Sequence, residues 1–95
     1  MTTKARSALI DANTASRIFG RGLRDLRKDS DYSIKEISAK SGLSRGLLSN
    51  IETGKGNPTI ETIEKLGVAY GSKNLADLVA EIWRRGSFQL QLNIK

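Results

Sequence analysis

Ninety-five residues fit one small domain, and the absence of both cysteine and histidine excludes disulfides, thiolate metal sites and the commonest general base and metal ligand. No cofactor or metal is therefore expected. The net charge of +6 suits a polyanionic partner, and the excess is lopsided: residues 1–58 hold 11 basic and 6 acidic side chains, residues 59–95 only 5 and 4. No apolar run approaches the roughly 18 residues of a membrane span, and the N-terminus lacks the apolar core of a signal peptide, so a cytoplasmic protein with no membrane partner is expected.

Residues 1–13 are polar and weakly periodic and read as a flexible N-terminal arm. From about Thr14 to Lys28 the pattern turns helical, with Phe19, Leu23 and Leu26 on one face and Arg17, Arg21, Arg24 and Lys28 off it. Gly20 and Gly22 each cost that helix on the order of 1 kcal/mol relative to alanine, so tertiary packing must hold it. A second helix starts at Ser33, where Glu36 three residues on completes a capping box. Ile34 and Ile37 point inward there, and Ser38 and Ser41 are small enough for a close crossing. Gly42-Leu43 breaks that helix, and Ser44 caps a third, with Leu48 and Ile51 inward. Two short helices around a tight glycine turn form a helix-turn-helix, whose second helix is the one offered to the DNA major groove.

The loop Thr53-Gly54-Lys55-Gly56-Asn57-Pro58 cannot continue a helix. Thr59 caps a fourth, with Ile60, Ile63, Leu66 and Tyr70 inward. A fifth runs from about Asn74 to Arg84 on a stripe of Leu75, Leu78, Val79 and Ile82. The last nine residues, SFQLQLNIK, change period: Phe88, Leu90, Leu92 and Ile94 alternate with polar residues, the pattern of a half-buried strand. No other stretch offers a partner strand. Such a strand would pair with its twin across a homodimer or add to the sheet of another protein.

The residues Tyr32-Ser33, Glu36-Ile37, Gly42-Leu43-Ser44, Leu48-Ser49, Ile51-Glu52, Gly54 and Asn57-Pro58, preceded by Leu23-Arg24-x-Leu26-Arg27, together resemble the phage-repressor (Cro/C1, XRE-type) helix-turn-helix family over roughly Phe19 to Leu78. The resemblance implies an all-α, five-helix domain that binds operator DNA as a dimer, here with the added C-terminal β-strand. The domain would occupy residues 14–85 and the strand residues 86–95. It also implies that Arg45, Gly46, Ser49 and Asn50 face the bases. Helical geometry agrees, since Arg45 and Ser49 are i, i+4 on the face opposite Leu48 and Ile51. Arg45 suits guanine O6 and N7, and Asn50 suits adenine N6 and N7.

Phosphate contacts would come from Ser33 and Ser44 at two helix N-termini, from Lys35, and from Thr53, Lys55 and Asn57 in the loop. The family pattern further implies an Arg27–Glu52 ion pair of structural character tying the first helix to the third. The chain departs from many relatives in carrying Ile34 where they have a phosphate-touching glutamine.

Glu36, Glu52, Glu61 and Glu64 each have a simpler role as cap, ion pair or helix-dipole partner than as catalytic carboxylate, and no phosphate-loop or nucleophile motif occurs. The expectation is a non-enzymatic, sequence-specific DNA-binding regulator of repressor type on a palindromic operator. The alternative is an antitoxin that autoregulates its operon and neutralises a toxin protein through another surface, with the strand Ser87–Lys95 adding to the toxin's sheet edge or the arm Met1–Asn13 ordering on it.

Overall fold

The computed structural model describes residues 12–94, with side chains from 14 to 90. Five helices follow one another: α1 (Ala12–Asp29), α2 (Ile34–Ser41), α3 (Arg45–Glu52), α4 (Ile60–Tyr70) and α5 (Leu75–Ile94). Their starts are written in short polar side chains. The Ser33 hydroxyl accepts from the Glu36 N–H at 3.0 Å while the Ser33 N–H donates to Glu36 Oε1 at 2.8 Å, closing the capping box that satisfies two orphan donors at the head of α2. Ser44 accepts from the Leu47 N–H, Thr59 from the Thr62 N–H, and Asn74 from the Ala76 and Asp77 N–H groups. Gly42 ends α2 at φ 80°, donating its N–H to the Ser38 carbonyl; the left-handed conformation there favours glycine, which has no Cβ to clash.

All five helices contribute to one core of Phe19, Leu23, Ile37, Leu43, Leu48, Ile51, Leu66, Ala69, Leu78 and Ile82. Leu23, Ile37, Leu48, Ile51, Leu66 and Ile82 are almost wholly removed from solvent, each contributing about 1.5–3 kcal/mol of burial.

The long helices α1 and α5 cross so closely that their backbones touch. A Cβ on Gly22 would collide with the Ile82 carbonyl, and one on Gly86 with the Ile18 carbonyl. Gly20 makes the equivalent approach to the Ile51 carbonyl at the end of α3. The glycines that weaken α1 by propensity are therefore the positions through which tertiary packing holds it.

That crossing corrects the expected C-terminal strand. Backbone 87–94 continues α5 without a break, and no strand occurs among the described residues. Arg85 donates to Asp25 at 2.7 Å and to Asp29 at 3.1 Å on α1, and Gln89 Nε2 donates to Asp25 at 3.2 Å, so the helical stripe Leu78, Ile82, Gly86, Gln89 faces α1. The alternation of Phe88, Leu90, Leu92 and Ile94 also contains two i, i+4 pairs, which a helix accommodates. A helix satisfies its backbone groups internally, whereas a lone strand leaves them unpaired. Phe88 is exposed and Leu90 partly buried; the side chains of Leu92 and Ile94 lie outside the described set.

Two smaller differences concern burial and boundaries. Ile60, expected inward, is 71% exposed, because it opens the first turn of α4 beyond the edge of the core. The N-terminal arm falls outside the described residues except for Ala12 and Asn13, whose backbone already belongs to α1.

Candidate nucleic-acid interface

Helix α3 divides cleanly into two faces. Leu48, Ile51 and Glu52 are buried, while Arg45, Gly46, Leu47, Ser49 and Asn50 are exposed. Arg45 has no carboxylate partner among the described residues. Nothing lies within 4 Å of the point where a Gly46 Cβ would sit, so the centre of this face is open to close approach. The structure thus brings the four sequence-derived base-facing residues onto one solvent-facing surface of eight residues of helix.

The α2–α3 angle is fixed from within. The Ser38 hydroxyl donates to the Leu43 carbonyl at 2.5 Å, and the Leu43 N–H donates to the Ser41 hydroxyl at 3.1 Å, so both small serines bind the turn itself.

Behind α3, Arg27 and Glu52 form a two-pronged pair. Arg27 Nε donates to Glu52 Oε2 at 2.7 Å and Nη2 to Oε1 at 2.9 Å, while Nη1 donates to the Tyr32 carbonyl at 2.9 Å. Their side chains are only 12% and 6% exposed, which places the contact among interior ion pairs, where desolvation and attraction are both large. The bond to Glu52 holds the Arg27 pKa above its ordinary value, against the opposing effect of burial. The Tyr70 hydroxyl is buried with no hydrogen-bond partner among the described residues, and burial together with the Glu52 charge pushes its pKa upward. Tyr70 meets Tyr32 edge-on at 6.1 Å. The recognition helix is tied to α1 through the Arg27–Glu52 pair.

The expected phosphate-contacting residues are placed unequally. Ser33 and Ser44 sit at the exposed starts of α2 and α3 with their oxygens accepting capping bonds; the Ser33 hydroxyl also bonds the Glu36 carboxylate, whereas the Ser44 hydroxyl proton is left able to donate outward. Glu36, bonded to Ser33, is held below the ordinary carboxylate pKa by that backbone N–H. Lys35 and Lys55 are exposed. The Lys40 ammonium lies 5.3 Å from the Tyr32 ring centroid. Thr53 is turned back on its helix, its hydroxyl donating to the Ser49 and Asn50 carbonyls at 2.9 and 3.2 Å. Asn57 accepts from the Ser16 hydroxyl at 2.5 Å, which ties the loop to α1. Ile34 is partly buried and packed against the core.

One group of residues at this face was given no role in the sequence reading. Arg17, Arg21, Arg24 and Lys28 of α1 line a groove of about 920 Å³ whose other wall includes Ser49 and Thr53 of the recognition helix and its cap. Their spacing of i, i+4, i+7, i+11 was visible in the sequence, but only the fold puts them beside α3.

Comparison with known proteins agrees with this geometry. A profile described as Helix-turn-helix matches residues 23–78. The chain is 37% identical over 49 residues to the HTH-type transcriptional regulator DdrOP3 of Deinococcus deserti, a match covering 52% of this chain and 38% of that protein. It is 34% identical over 55 residues to the uncharacterized HTH-type transcriptional regulator y4dJ of Sinorhizobium fredii, covering 58% of this chain and 71% of that one. No solved structure gives a significant match. The fold and the recognition face define a helix-turn-helix DNA-binding domain. The chain belongs to the XRE-type helix-turn-helix family.

Proposed function

We propose that the protein is a sequence-specific transcriptional regulator, a repressor that occupies a palindromic operator as a homodimer and reads it through Arg45, Ser49 and Asn50. The observation that carries the reading is the exposed face of α3, where a guanidinium and a carboxamide without partners among the described residues stand around an open glycine. Bidentate arginine and asparagine contacts distinguish guanine and adenine in the major groove. Ser33, Ser44, Lys35 and Lys55 would set the register of the domain on the sugar-phosphate backbone.

A twofold dimer would place two such helices about one helical turn, roughly 34 Å, apart on the duplex. The apolar side chains left in solvent on α4 and α5, Ile60, Val68 and Phe88, offer surface for that association. Strand addition to a toxin is withdrawn as a route for the antitoxin alternative, because backbone 87–94 is helical; a toxin partner would have to meet another surface. Light scattering of the full chain, alone and with duplexes enriched from a random pool, tests the proposal. A dimer on an inverted-repeat site is expected; a monomer that enriches no sequence would overturn it.

A further inference from the structure

We infer that the outer face of α1 is a second DNA-contacting surface, a cationic track that holds one sugar-phosphate strand alongside the recognition helix. The inference rests on the DNA-binding reading of α3 and adds to it a binding element outside the helix-turn-helix.

Arg17, Arg21, Arg24 and Lys28 recur at i, i+4, i+7 and i+11, which keeps them within about 60° of the helix circumference and over roughly 16 Å of its length. Four like charges stacked on one face repel one another, a repulsion that an anion lying along the row would relieve. Carboxylates are nearby yet committed elsewhere. Asp25 and Asp29, on the same helix, are both bonded to Arg85 of α5, and Glu52 is bonded to Arg27. Among the described residues, none of the four cations has an acidic partner. By contrast the two arginines largely removed from solvent, Arg27 and Arg85, are both paired.

The track is also correctly placed. It forms one wall of the groove whose other wall carries Ser49 and Thr53. Arg17 packs against Gly54 in the loop that follows α3, so closely that a Cβ there would fall 2.9 Å from its Cγ. A strand bordering the major groove in which α3 lies would therefore run between α3 and α1. At one phosphate per 3.4 Å of axis on each strand, the track matches roughly four or five phosphates. Arginine suits the task, because its planar fork meets phosphate oxygens two at a time.

The test compares full-length wild type with Arg21→Ala/Arg24→Ala on the duplex that wild type enriches, measuring affinity against salt concentration. The slope of log K on log salt should flatten by about two units. Across a fourfold rise in salt, wild type should then lose roughly ten times more affinity than the variant. The loss should be equal on random duplex, because the track reads backbone and not bases. Arg21→Lys/Arg24→Lys should restore the slope, and Lys65→Ala/Lys73→Ala, with the same charge change on other elements, should leave it as in wild type. An unaltered slope in Arg21→Ala/Arg24→Ala, or equal flattening by the distant pair, would overturn the track while leaving the α3 reading intact. Wild type that binds no duplex would overturn both. Circular dichroism melts of each variant separate these outcomes from unfolding.

Discussion

The α1–α5 crossing and the α3 surface use the same two residue types to opposite ends. In the crossing, Arg85 is bonded to Asp25, Asp29 and Glu81; desolvation opposes its charge, but those three carboxylates outweigh it and raise its pKa. Gly22 and Gly86 stand there because facing carbonyls leave no room for a Cβ. On α3, Arg45 meets no carboxylate among the described residues and Gly46 faces open space. A matched arginine and a crowded glycine mark where the chain binds itself. An unmatched arginine beside an uncrowded glycine leaves this face of α3 without internal commitments among the described residues.

The contrast can be broken most forcefully at the interior pair. Glu52→Ala leaves the Arg27 guanidinium without its carboxylate in a site with little solvent, and should cost about 3–5 kcal/mol of stability in urea denaturation. A loss under about 1 kcal/mol would reclassify the pair with surface bridges. Gly22→Ala and Gly86→Ala come next. Each should lower stability by about 2 kcal/mol through forced separation of α1 and α5, despite the gain in helix propensity of about 1 kcal/mol. Melting temperatures at or above wild type would mean that the helices are not in backbone contact.

Arg45→Ala should behave in the reverse manner. Its melting temperature should match wild type, while binding to the enriched duplex weakens by about 1–3 kcal/mol and preference relaxes at one base pair. Gly46→Ala sharpens the comparison further, since it should stabilise the protein by about 0.5–1 kcal/mol while altering the fit to the duplex.

The smallest effect is acidic. Glu36 titrates below its ordinary 4.5 because the Ser33 N–H and hydroxyl bond its carboxylate, so the folded state favours the charged form. That contribution is complete above the ordinary value and is lost as pH falls through the depressed one. Glu81, lowered by Arg84 and Arg85, adds a parallel term in α5. Glu36→Gln should therefore show a shallower fall of melting temperature between about pH 5 and about pH 3 than wild type; identical profiles would remove the capping carboxylate from the acid response.

The helix-turn-helix itself was legible in the sequence because its signals are local. Ser33 with Glu36, Gly42, Ser44 and Thr59 announce caps and turns within four residues, and the structure places each at the helix end it signals. The C-terminal segment was misread for the converse reason. Period two over Phe88 to Ile94 is a local pattern, whereas what holds those residues in a helix is sixty residues away, at Asp25 and Gly22. Ile60 was misplaced because periodicity gives direction but not depth. Arg17, Arg21, Arg24 and Lys28 were readable as a row, yet their meaning depends on which element lies across the groove. Charge pairing across long separations is the property that a single sequence conceals.

The most direct test of the account is a comparison of the motifs enriched from random duplexes by the wild-type chain and by Arg45→Ala/Asn50→Ala. The account predicts a defined motif for wild type, and for a variant of unchanged melting temperature the loss of preference at a guanine and an adenine within it. The same motif from both proteins, or none from wild type, would contradict the assignment of α3 as the reading surface.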